Sequence, residues 1–101
     1  MSGEETKLQY KALRYIESNF PGSVCFKVEK CSKNGVPDIW YAIPGFPATF
    51  AEFKKNEKEE LKPHQKAMIK RMNMAGQRAI EIKSWDMWVK EFTYIRSVLN
   101  G

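Results

Sequence analysis

A mixed α/β domain, a small sheet covered by helices, is the fold class this chain predicts. Three observations carry it. Apolar residues recur at helical spacing near both ends and in the second half of the chain. Three strand-like runs follow one another between residues 23 and 54. A fourth strand-like run, 78–82, comes only after a helical segment. The order is αβββαβα: an antiparallel meander, a crossover helix and one more strand, giving a mixed sheet flanked by helices.

Each element has its own justification. Residues 4–19 read as a helix, with Leu8, Ala12, Tyr15 and Ile16 at helical spacing and "FPG" at 20–22 ending the run. On a helical wheel Glu5 falls near the centre of that apolar face, beside Leu8, Gln9 and Ala12. In "SVCFKVEK", 23–30, Val24, Phe26 and Val28 alternate with Cys25, Lys27 and Glu29, as in a half-buried strand. "CSKNGVP" supplies turn residues, "DIWYAI" at 38–43 a second strand, "PGFP" at 44–47 a turn, and "ATFAEFK" at 48–54 a third strand. "KNEKEE", 55–60, is a charged connector. "KPHQKAMIKRMNMAGQ", 62–77, is a helix with Pro63 in its first turn and Gly76 near its C-cap. Its apolar stripe, Leu61, Met68, Ile69 and Met72, is interrupted by Gln65, and Lys62, Lys66 and Lys70 form a basic row beside it. "RAIEI", 78–82, is the fourth strand. Ser84 is the expected N-cap of a last helix with Trp85, Trp88, Val89, Phe92, Ile95 and Leu99 on one face.

Composition bounds the function. The 101 residues form a single expected domain, 1–101, and 43% hydrophobic with 29% charged residues argues against disorder. A net charge of +5 favours an anionic partner, nucleic acid before a membrane surface. No apolar run approaches the length of a membrane-spanning helix, and the polar, acidic start is unlike a secretory signal. On one extended strand Cys25 and Cys31 would stand roughly 20 Å apart, beyond the reach of a disulfide. Free thiols in a reducing compartment are therefore expected. Two cysteines and one histidine also fall short of a structural zinc set.

The informative stretch is "GVPDIWYAIPGFPATFAEFKK", Gly35 to Lys55. Residues two apart on a strand share a face, so Glu52 and Lys54 point one way while Ala51 and Phe53 face the helix-covered side. Counting back from a turn centred near 45–46 pairs Asp38 with about residue 53, close to both. Two neighbouring carboxylates repel unless a cation joins them. Mg²⁺ takes oxygen ligands, commonly one or two carboxylates with waters and substrate phosphate. With an adjoining ammonium, that set suits phosphodiester hydrolysis. Glu5 can reach the same place from the first helix, and Gln65 from the second.

"GVPD", then 13 residues, then "EFK" resembles the PD-(D/E)xK nuclease signature. The element order is similar to that superfamily's restriction-endonuclease-like core. Within it the chain looks most like the VRR-NUC domain, the virus-type replication and repair nuclease, in "EETKLQYKALRYIES", "NGVPDIWYAI", "AEFKK" and "LKPHQKAMIKRM". The resemblance implies Asp38, Glu52, the backbone carbonyl of Phe53 and Glu5 as ligands of Mg²⁺ or Mn²⁺. It implies Lys54 as the catalytic lysine and Gln65 as the supporting glutamine. It also implies DNA as substrate, a homodimer, and likeness to the stand-alone phage and bacterial type, which resembles Holliday junction resolvases. A cytoplasmic location is expected with it, that of the host if phage-encoded.

Plainer readings stand beside these. Glu52 and Lys54 can be a surface ion pair on an edge strand, Glu5 a solvated residue favoured by the helix dipole, and Gln65 a cap of its helix. His64 reads as a solvated surface group. Met68, Met72, Trp85 and Trp88 read as core. Of Trp40 and Tyr41 only one faces the covered side, leaving the other for substrate or a second subunit. Lys62, Lys66 and Lys70, and less so Lys7, Lys11 and Arg14, are candidates for contact with a DNA backbone. The expected activity is metal-dependent cleavage of branched DNA. The alternatives are a DNA-binding module with little activity and a sequence-specific restriction-type nuclease.

Overall fold

The structure, a computed structural model, describes residues 3–54 and 58–101, without the side chains of Glu4 and Glu5. The predicted ligand Glu5 and the first three residues of the charged connector therefore lie outside the described residues. The elements are α1 (Gly3–Asn19), β1 (Val24–Lys27), β2 (Ile39–Ala42), β3 (Thr49–Phe53), α2 (Pro63–Met74), β4 (Arg78–Ile82) and α3 (Trp85–Leu99). The predicted order αβββαβα holds. The first three strands are shorter than expected, because the residues at their ends belong to turns and loops and make no ladder pairs.

The sheet runs β1-β2-β3-β4, antiparallel across the first two pairs and parallel between β3 and β4. Parallel strands cannot be joined by a tight turn, and α2 makes that crossover. Between β2 and β3 the chain reverses at Ile43–Phe46, where the Phe46 N–H donates to the Ile43 carbonyl at 3.0 Å. Pro44 sits second and Gly45 third, at φ +85°, the arrangement of a type II turn. This turn centres on residue 45, so Ile39 faces Ala51. Asp38, just before the ladder, meets β3 at the Phe53 N–H, the position near 53 that the sequence predicts.

The core lies between one sheet face and the pair α1 and α3. Ala12, Leu13 and Ile16 of α1, Ile39 and Tyr41 of β2, Ala51 and Phe53 of β3, and Trp88, Phe92 and Ile95 of α3 are all buried there. Trp88 anchors it, with ring centroids 4.5 Å from Phe92 and 4.9 Å from Phe53. The Ser84 hydroxyl accepts from the Met87 N–H at 3.1 Å, the N-cap the sequence predicts for α3. Gly76, at φ +90°, follows the C-cap of α2.

Two expectations about the other face change. Val24 and Phe26, 57% and 49% exposed, lie on the more open side of β1, while Cys25 and Lys27 face inward. The ladder decides this: Cys25 pairs with buried Tyr41, and Phe26 with Trp40, whose rings stack at 5.1 Å. On α2 no residue is buried, so Met68 and Met72 are half-covered surface residues rather than core. Cys25, half-buried with its thiol 3.7 Å from the Leu13 carbonyl, and exposed Cys31 are both free.

Candidate active site

Glu52 and Lys54 alternate with Ala51 and Phe53, which are buried against α1 and α3. They therefore point to the opposite face, and α2 meets them there. Glu52, on a strand with a neighbour on each side, is 3% exposed, and Lys54, just past the end of that strand, 7%. A surface ion pair on an edge strand is excluded by that placement. Carboxylate and ammonium groups this deep are costly unless partnered, and both have partners.

Gln65 reconciles its two readings. Its Oε1 accepts from the Lys62 backbone N–H at 2.9 Å, closing the first turn of α2. The same oxygen accepts from Lys54 Nζ at 3.3 Å. It caps the helix and steadies the buried ammonium at once.

Asp38 enters through the backbone. Its Oδ2 accepts from the Phe53 N–H at 3.1 Å, and its carbonyl accepts from the Val28 N–H at 2.7 Å. Buried Pro37 precedes it. The aspartate is thereby fastened to β3 beside Glu52.

These side chains share one cavity of about 350 Å³, lined by Gln9, Asp38, Glu52, Lys54, Glu59, Glu60, Lys62 and Gln65. Four predicted residues from three segments, Asp38, Glu52, Lys54 and Gln65, are thus brought together. Lys62 lines the wall, whereas Lys66 and Lys70 stand exposed on α2, with Lys66 Nζ 3.9 Å from Glu60. His64 is exposed and does not line the cavity. Lys7 and Arg14 are exposed on α1, and Lys11 Nζ lies 4.1 Å over the Trp85 ring.

Gln9, Glu59 and Glu60 are lining residues that sequence reading missed as site candidates, the two glutamates because they fall in the charged connector; Gln9 is the buried one. The signal was there: a polar residue at the centre of α1's apolar face, the same anomaly that singled out Glu5 and Gln65.

Among the described residues no group of three or more histidine, cysteine or acidic side chains is arranged to hold a metal. The cavity offers carboxylate and amide oxygens beside the Lys54 and Lys62 ammonium groups, with no sulfur or imidazole. That excludes a closed zinc-type site and fits a hard cation that keeps several water ligands.

A solved structure described as a VRR_NUC domain matches this chain with a TM-score of 0.78 at 24% identity. The match covers 91% of this chain and 97% of that one. No family model and no curated protein matches the sequence. The structural likeness establishes a VRR-NUC fold.

Proposed function

We propose that this chain, with its VRR-NUC fold, is a nuclease that hydrolyses phosphodiester bonds in branched DNA with the aid of Mg²⁺ or Mn²⁺. The observation that carries this reading is the convergence of Asp38, Glu52 and Lys54 on one cavity, with Gln65 holding the lysine. Asp38 and Glu52, with the Phe53 carbonyl and Glu5, are the proposed ligands. The cation, when bound, supplies Lewis-acid polarisation of the phosphate and lowers the pKa of water.

The chain's own residues do the rest. Asp38, tied to the Phe53 N–H, and Glu52 present their carboxylates to one cavity. Lys54 offers an ammonium to the negative charge that develops on the phosphoryl oxygens. Its near-complete burial strengthens that attraction, since little water screens it. Gln65 orients the Lys54 ammonium without neutralising it. Lys62, Lys66 and Lys70 give α2 a basic face beside the cavity for the neighbouring DNA backbone. Backbone and shape recognition of this kind suits junctions and flaps better than a fixed sequence.

The test is incubation with a four-way junction and linear duplex in Mg²⁺ or Mn²⁺. Lys54→Ala is expected to lower cleavage at least about a hundredfold, the scale of losing one group that stabilises transition-state charge, with junction binding retained. Binding without cleavage across metals and substrates would identify a binding module instead. Discrete bands from long duplex would identify a restriction-type enzyme.

A homodimer belongs to the same proposal. Val24 and Phe26 stand exposed on one sheet face beside half-buried Trp40, and α2 buries no residue. A second copy over that apolar surface would cover it and pair two cavities for the two strands of a junction.

A further inference from the structure

Gln9 poses a problem that the reading above leaves open. Its side chain is 4% exposed, and its Oε1 is buried with no hydrogen-bond partner among the described residues. An unsatisfied buried amide oxygen costs about 1–3 kcal/mol, so it calls for an explanation.

The surroundings narrow the choice. Gln9 lines the cavity it shares with Asp38, Glu52 and Lys54, and also an adjoining one of about 280 Å³ with Lys27, Val28, Glu29 and Asp38. Asp38 is the residue common to both. Ionised carboxylates only accept hydrogen bonds, so Asp38 and Glu52 have nothing to donate to Oε1. Of the lysines lining these cavities, Lys54 Nζ is turned to Gln65 at 3.3 Å and Lys27 Nζ to Glu29 at 3.6 Å, and Lys62 is exposed. With no donor on Oε1 among the described residues, this amide oxygen shares a cavity with the carboxylates of Asp38 and Glu52, and a hard cation held there would satisfy all three.

We propose that Gln9 is an additional oxygen ligand, through Oε1, for the divalent cation held by Asp38 and Glu52. The inference rests on the metal-dependent reading of this cavity. It gives α1 a neutral ligand that lies within the described residues and that depends on no acidic side chain of that helix. The oxygen is buried by the same packing that seats Ala12 and Ile16, so helix position and ligand position are set together.

The test is calorimetric titration of the whole protein with MnCl₂, with thermal melting of each variant in parallel. Gln9→Met keeps length and fills the space but removes the oxygen. It is expected to weaken Mn²⁺ binding at least about tenfold, the scale of losing one group from a metal's environment, without a lower melting temperature in metal-free buffer. Gln9→Glu supplies a charged oxygen at the same position and is expected to bind Mn²⁺ more tightly than the parent. Unchanged Mn²⁺ affinity in Gln9→Met would overturn the proposal and leave Gln9 a structural residue satisfied by water. Should Gln9→Met not fold, affinity in Gln9→Glu equal to or weaker than that of the parent would overturn it equally. Absence of Mn²⁺ binding by the parent protein would sink the metal-dependent reading itself, a separate result.

Discussion

Gly35 shows how one residue positions the cavity from a distance. Its φ of +83° lies in the left-handed region that side chains rarely adopt. A Cβ there would stand 2.5 Å from the His64 carbonyl oxygen at the start of α2. The loop carrying Asp38 therefore rests directly on the helix carrying Gln65. Gly35→Ala is expected to destabilise by about 1–3 kcal/mol, seen as a lower urea midpoint at unchanged slope. It should also weaken Mn²⁺ binding by shifting Asp38 against Glu52. An unaltered midpoint would refute the close approach. The glycine reads as a turn residue in sequence, but its contact with His64, 29 positions away, does not.

Between elements, the least legible feature is a polar clamp at the end of the sheet away from the cavity. Arg78 at the start of β4 forks onto Glu91 of α3, with N–O distances of 2.6 and 2.9 Å, and also donates to Thr49 at 3.0 Å. The Tyr41 hydroxyl donates to Glu91 at 2.6 Å. Neither Arg78 nor Glu91 interrupts a pattern in the sequence: the parallel β3–β4 pairing sets Arg78 beside Thr49, and the packing of α3 on the sheet brings Glu91 to it. Glu91→Ala is expected to cost about 2–4 kcal/mol, less than for a fully buried pair, since a quarter of the Arg78 side chain stays exposed. Burial, then the charge of Glu91 and its hydrogen bond, raise the Tyr41 pKa well above the ordinary value. A pKa raised on folding means that the contribution is fully present below about pH 10, the usual tyrosine value. It is lost as pH rises beyond that toward the folded pKa. The stability gap between the parent and Tyr41→Phe should thus be flat up to about pH 10 and shrink above it. Urea melts across that range measure it, and a gap that widens with pH would contradict the network.

For the whole molecule, the two sheet faces are unequally covered. One carries the core between sheet, α1 and α3; the other exposes Val24 and Phe26 on β1, and α2 buries no residue. Light scattering at micromolar concentration is expected to give twice the monomer mass, and Phe26→Ser to reduce it to the monomer. A monodisperse parent monomer would remove the dimer from the proposal and leave the cavity chemistry untouched.

Local rules were enough for much of this. Helical and strand periodicity, the Pro44–Gly45 turn, the Ser84 cap and alternation across Ala51–Lys54 are near-neighbour effects, so the element order and the facing of Glu52 and Lys54 could be read directly from the residues. Asp38 meets β3 at Phe53, where counting back from the turn puts it. The facing of β1 was legible only once β2 was beside it, since an edge strand with apolar residues on one side and Cys25 on the other can turn either way. The orphaned oxygen of Gln9, the double duty of Gln65 and the Arg78–Glu91 clamp join positions far apart in the chain. Periodicity along a chain says which side of its own element a residue occupies. Packing between elements alone decides what waits on that side.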